Sequence, residues 1–241
     1  GAMEHWLSQV LEATDTSGMK VLTMMDYVDV LEEELVEGME DGDEGHSHDH
    51  SHPEDEDGRQ VEIEYDEHIW TSPVNAMHIV EIIRDTLAEE DEANGDYYRQ
   101  RAGGYLKELS GLDEAFRQVA RDEKRNLFIV ADKFPFRYLA DDYGLTYYAA
   151  FSGCSAETEA SFETVAFLAG KVDELSLPCV LTIEGAAHNI AQTVVANTSA
   201  KNQEILVLDS MQSVTAADVE GGATYLGMME QNLETLKTAL G

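Results

Sequence analysis

Cysteine is scarce in this chain, with only Cys154 and Cys179 among 241 residues. Their number and spacing exclude a disulfide scaffold and a cysteine-based zinc site. Two buried free thiols are expected rather than one bridge. Basic residues are scarce too: 15 Lys and Arg stand against 49 Asp and Glu, for a formal net charge of −34. Such a field repels nucleic acid and anionic membrane and attracts cations. No basic patch with interleaved aromatics exists to argue otherwise. No apolar run approaches the length of a membrane-spanning helix. There is no signal peptide, and Gly1-Ala2-Met3 has the look of a cloning scar, so a missing leader says nothing about compartment.

Catalytic motifs are also wanting. There is no G-x-S-x-G elbow, H-E-x-x-H pair, P-loop or G-x-G-x-x-G after a strand. Gly221-Gly222 opens a helix without the phosphate-loop pattern. Cys154, between Gly153 and Ser155, has no partner histidine placed by motif. The chain is therefore expected not to be an enzyme.

What the chain does have is concentrated acid and patterned histidine. Residues 32–57 hold 13 acidic and no basic residues. Residues 38–59 have almost no apolar side chains and carry HSHDHSH, with His46, His48, His50 and His52. A segment that can bury so little does not offset its ordering entropy, so a disordered loop is expected. Histidine-rich tracts bind zinc, copper or nickel through imidazole nitrogens. The tract is internal and interrupted by Ser and Asp, unlike an added tag.

The run EYDEHIWTSP, residues 64–73, organises the rest. An alternating segment (Val61, Ile63 and Tyr65 apolar) leads into a helix start, with Ser72 as N-cap and Pro73 at the first helical position. Between them lies His68, flanked by Asp66, Glu67 and Trp70. A neutral imidazole at such a junction, oriented by acidic neighbours, has the chemistry of a metal ligand. A lone histidine is more often structural, so the rest of the chain decides.

Read in order, residues 4–13 form a short helix, 20–25 a strand and 27–36 a short acidic helix. Residues 73–88 form an amphipathic helix on which His78 is a surface or packing residue. Residues 94–124 form a long helix with Tyr98, Tyr105, Leu109, Leu112, Phe116 and Val119 as its apolar stripe. Strand–helix units follow: strands at 127–131, 145–151, 178–183 and 205–208, with helices from about 135, at 162–174, 187–198 and 224–240. The fold class is α/β with mostly parallel sheets. The division is a partial N-terminal lobe (1–93), a linking helix (94–124) and a C-terminal α/β lobe (125–241). Two strands run into a carboxylate, Asp132 after FIVA and Asp209 after ILVL. Either alone is commonly a helix N-cap. Together they line one sheet edge, where ligands of open α/β sheets bind. With His68 across a cleft they make a cation site of mixed N/O character.

Several of these stretches together — DEHIWTSPVNA, FPFRYLADDYGL, FSGCSAETEAS, VLDSM and TYLGMMEQNLETLKTAL — resemble the zinc and manganese receptors of bacterial ABC importers, the zinc-uptake and adhesin-type lipoproteins. The resemblance runs from about residue 4 to the end. It implies two α/β lobes joined by a rigid helix, with a metal held between them. It implies His68 and Asp209 as ligands, with Asp132 at a third position where the family usually has His or Glu. The family's first His has no counterpart, so the family's opening strands are expected to be missing and the N-terminal lobe incomplete. The resemblance further implies an extracytoplasmic, lipid-anchored protein that delivers Zn2+ to a membrane permease. In zinc-specific members an acidic His-rich loop sits where HSHDHSH does. Manganese is the rival metal, because two carboxylates suit a harder ion. A metal-containing adhesin is the rival of another class.

Overall fold

Continuous apolar strands set the centre of the molecule. The computed structural model describes residues 5–40, 64–185 and 187–241. Strands β1 (Leu127–Phe134), β2 (Thr146–Ser152), β3 (Cys179–Ile183) and β4 (Glu204–Leu208) form one parallel sheet in the order β2-β1-β3-β4. Such a sheet is buried on both faces, which is why β1 reads as unbroken hydrophobe. Its side chains still alternate: Phe128, Val130 and Phe134 enter one core layer, and Ile129 and Ala131 enter the other.

Helices supply the two covers. α3 (Gly95–Asp122) and α8 (Tyr225–Leu240) pack on one face through Leu109, Leu112, Phe116, Leu233 and Leu236. α5 (Phe162–Leu175) and α6 (Asn189–Asn197) pack on the other through Val165, Leu168, Ala191 and Val194. Local chemistry starts and stops them. Ser161 and Thr224 accept backbone N–H groups at the starts of α5 and α8, the usual satisfaction of the first-turn donors. α4 (Arg137–Tyr143) stops at Gly144, which is left-handed with φ 62. α2 (Pro73–Glu90) begins as its sequence predicts: the Ser72 hydroxyl accepts the Asn75 N–H at 2.9 Å, and Pro73 follows. None of the described helices is long and apolar enough to cross a membrane.

The α/β class and the parallel sheet stand as expected, and so does the long helix, with its ends moved slightly. The opening segment differs. Residues 20–25 form no strand; a 3₁₀ turn occupies Met24–Tyr27. Residues 28–36 are extended rather than helical. Their carboxylates find partners on the C-terminal half, and a helix would have faced those partners with only one side. Glu33 N–H donates to Glu64 O at 2.9 Å, and Asp66 N–H donates to Leu31 O at 2.9 Å, around an isolated antiparallel bridge between Glu32 and Tyr65. Glu40 N–H donates to Ala150 O on the outer strand β2 at 3.0 Å. The segment is a strap lying on the C-terminal half. Among the described residues the sheet lies wholly in that half. The histidine tract at 46–52 and residues 61–63 lie outside the described residues. A short helix α7 (Ala216–Glu220), built on a Thr215–Asp218 capping box, has no apolar stripe that would have announced it.

Candidate metal centre

His68 stands at the start of a 3₁₀ turn (Ile69–Thr71) that delivers the chain into α2. It is 2% exposed. Its Nδ1 lies 3.0 Å from Oδ1 of Asp66, and the same oxygen accepts the His68 backbone N–H at 2.7 Å. A carboxylate held against Nδ1 fixes the ring and leaves Nε2 as the nitrogen not taken up by that contact. The ring also rests on Gly153, just past β2. A Cβ there would lie 3.0 Å from His68 Nδ1 and Cε1 and 2.9 Å from Phe134 O. Glycine is what lets the imidazole settle against the ends of β1 and β2.

Asp66 is fully buried, and its Oδ2 has no hydrogen-bond partner. A buried carboxylate oxygen without a donor is costly unless a cation offsets its charge. Glu33, carried in by the strap, adds a second carboxylate. It accepts the Cys154 N–H at 3.0 Å. Burial holds the Glu33 carboxyl above the usual range, and the nearby Asp66 charge adds to this. Burial also pushes the Cys154 thiol well up, as does its bond to Glu33. A thiol held protonated is no nucleophile. Both cysteines are free, and burial pushes Cys179 up to about 11.

Asp132 lies where the β1–β2 register shifts between Val130 and Lys133. Such bulges re-aim side chains beside functional sites. Its Oδ1 accepts the Lys133 N–H at 2.9 Å, and its Oδ2 accepts the Thr182 hydroxyl at 2.8 Å. Asp209 follows β4. Its Oδ1 accepts the Met211 N–H at 2.8 Å. Its backbone is gripped by buried Asn232 of α8, whose Oδ1 takes the Asp209 N–H at 2.7 Å and whose Nδ2 donates to the Asp209 carbonyl at 2.8 Å. Burial raises the Asp209 carboxyl, and neighbouring Glu184 reinforces this.

Trp70 ties the histidine turn to the Asp209 loop. Its indole N–H donates to Ser210 O at 2.9 Å, and its own carbonyl accepts the Tyr225 hydroxyl at 2.9 Å. Ser210 in turn gives its N–H and hydroxyl to the Glu184 carboxylate at 2.7 and 2.6 Å. His68, Asp132 and Asp209 are therefore ranged along one edge of the molecule, on the β1 and β2 ends, in the β1 bulge and after β4. Among the described residues, no three His, Cys, Asp or Glu side chains already converge as a metal-holding group. An imidazole with fixed Nε2, carboxylates and an uncompensated buried oxygen nonetheless fit a divalent cation of borderline hardness. His78 is exposed, 3.7 Å from Glu81, and takes no part.

Sequence reasoning did not single out Glu33 or Glu184, nor His188, whose Nδ1 lies 3.3 Å from the Thr182 hydroxyl that also meets Asp132. The rule that singled out Asp132 and Asp209, a carboxylate at a strand end, also picks out Glu184 after VLTI. His188 carried a plainer signal as the sole histidine after His78. Glu33 gave none, because its place depends on the strap.

A family model described as ZnuA, "Zinc-uptake complex component A periplasmic", matches residues 1–239. The chain is 32% identical over 237 residues to the zinc-binding lipoprotein AdcA of Streptococcus pneumoniae serotype 4, covering 98% of this chain and 43% of that protein. It is 30% identical over 175 residues to the high-affinity zinc uptake system protein ZnuA of Bacillus subtilis, covering 73% of this chain and 53% of that protein. The chain thus spans about half or less of the length of these relatives. Among solved structures, the Zn(II)-bound ZnuA-like domain of Streptococcus pneumoniae AdcA is similar with a TM-score of 0.70 at 27% identity, covering 99% of this chain and 77% of that one. A ZnuA crystal structure matches in fold with a TM-score of 0.71 at 22% identity, covering 99% and 76%.

Proposed function

Since the chain belongs to the ZnuA family, we propose that it is an extracytoplasmic solute-binding protein that captures Zn2+ and delivers it to the membrane permease of an ABC importer. The observation that carries this reading is the buried His68–Asp66 pair, joined through Trp70 to the loop of Asp209. His68 Nε2 is the nitrogen donor, and Asp209 and Asp132 are the carboxylate donors. The segment that carries His68, ahead of α3, and the α/β half that follows α3 hold the ion between them, with α3 as the rigid element. The protein is a transport receptor and not an enzyme, since delivery requires that the ion leave unchanged. A lipid anchor would hold it at the outer face of the membrane, in keeping with the relative named a lipoprotein.

The chemistry follows from the donors. Zinc must displace protons from its ligands, so affinity falls as the pH drops below about 6. The acidic surface concentrates cations near the site. His46, His48, His50 and His52 bind further zinc more weakly. Manganese is the second reading, favoured by the carboxylates; the histidine tract favours zinc.

The test is metal content after purification without added metal. It compares the chain, a form lacking residues 38–58, and each with His68→Ala. About one zinc per shortened chain, removed by His68→Ala, is the expected result. Metal that vanishes with the tract, and does not respond to His68, overturns the assignment.

A further inference from the structure

The strand order β2-β1-β3-β4 reverses direction between β1 and β3. In open α/β sheets the crevice beyond the carboxyl ends at such a reversal is where ligands bind. Two side chains rise there. Asp132 comes from the β1 bulge, and His188 comes from the loop after β3, at the start of α6. They meet at Thr182, whose hydroxyl lies 2.8 Å from Asp132 Oδ2 and 3.3 Å from His188 Nδ1.

We infer that His188 is a second imidazole ligand of the captured metal, supplied by the C-terminal half beside Asp132. The inference rests on the zinc-capture reading and deepens it. A hydroxyl has one proton, and Thr182 gives that proton to the Asp132 carboxylate, which can only accept. Toward Nδ1 the same oxygen can only accept, so Nδ1 carries the hydrogen and Nε2 keeps its lone pair. That is the tautomer a ligating histidine needs, fixed by a neighbouring group in the usual way.

The backbone agrees. His188 is left-handed, with φ 38 and ψ 29. Glycine or asparagine adopts that region with less strain, and such strain collects at functional sites. The reach also agrees. Asp209 ends β4, on the far side of β3 from Asp132, and with strands about 4.8 Å apart the two chain positions are roughly 10 Å apart. Two carboxylates can approach one ion across that distance, with His188 entering above β3.

The experiment uses the full chain with His46, His48, His50 and His52 changed to Asn, so that the tract adds no background. Zn2+ is titrated in competition with a chromophoric chelator, for this protein and for its His188→Asn and His68→Ala forms. Asparagine tolerates the left-handed backbone, so the metal-free melting temperature of His188→Asn should hold. Its zinc affinity should fall at least ~10-fold. X-ray absorption of the Co2+-loaded parent should count two imidazoles on the metal. An unchanged affinity for His188→Asn with a large loss for His68→Ala, and a single imidazole, overturns the inference and leaves zinc capture at His68 standing. Loss in His188→Asn alone, with His68→Ala unaffected, upholds His188 and removes His68 from the site. No loss in either form defeats both. If His188→Asn melts early, the imidazole count on the parent decides.

Discussion

Trp70 reaches across 140 residues of sequence to give its indole N–H to the carbonyl oxygen of Ser210 at 2.9 Å. The bond joins a turn before α2 to a loop after the last strand, and Ser210 is fully buried. It is a neutral fastening between the two places that present His68 and Asp209.

Trp70→Phe keeps the ring and removes the donor, leaving the Ser210 carbonyl short of a partner. An unsatisfied buried acceptor costs about 1–3 kcal/mol. The metal-free protein should melt roughly 2–4 °C lower per kcal/mol lost. The Asp209 loop then loses one of its fixings, and zinc affinity should fall about 10-fold. Thermal melting and chelator competition check the two effects separately. A lower melting temperature with unchanged affinity would show that the fastening is purely structural.

Gly153→Ala tests the seat of the imidazole. The new methyl meets Phe134 O, a backbone atom, and the His68 ring. Only the ring can move far, and moving it breaks the bond to Asp66. Overpacking of this kind costs typically about 1–3 kcal/mol, and zinc affinity should drop with it. Gly170→Ala on α5, with nothing within 4 Å of its Cβ, is the control and should leave zinc binding untouched. Equal zinc affinities in the two variants would refute the seating argument.

Asp142→Asn gives a pH signature. Burial holds the Asp142 carboxyl above the usual range, against the lowering effect of the Ser72 hydroxyl bonded to it. A carboxyl raised on folding holds its proton more tightly in the folded state, so its ionised form costs stability at neutral pH. That cost fades as the pH falls through the folded value toward the unfolded one near 4. The amide carries no charge and still accepts from Ser72. The variant should melt about 2 °C higher at pH 7, with the gain gone near pH 4. A gain that is the same at both pH values would exclude ionisation as its cause.

How much of this was legible in the sequence depends on how local each feature is. LFIVA and VLTI announce buried strands because a doubly covered strand is apolar on both faces. Ser72-Pro73 announces α2 because capping is a matter of a few adjacent atoms. The strap gave no such signal. Val21, Leu22, Met24 and Met25 suggested a strand, but a strand exists only where a partner supplies hydrogen bonds, and Leu31 to Glu40 finds its partners on Tyr138, Cys154 and Ala150. The same limit hid part of the candidate site. His68 and Asp209 stand in recognisable local runs. His188 stands out in the sequence as the sole histidine after His78, but its place beside Asp132 shows only when the crossover through α5 carries β3 beside β1.

The strap has a consequence for how copies of the molecule meet. β2 is an outer strand, and an outer strand with free backbone groups invites pairing with another chain, the first step toward aggregation. Here the Glu40 N–H takes the Ala150 carbonyl, and Glu34 accepts the hydroxyl of Tyr147 on the same strand. Two molecules approaching β2 to β2 would bring like charges together. The acid in this segment therefore opposes growth of the sheet at its β2 edge.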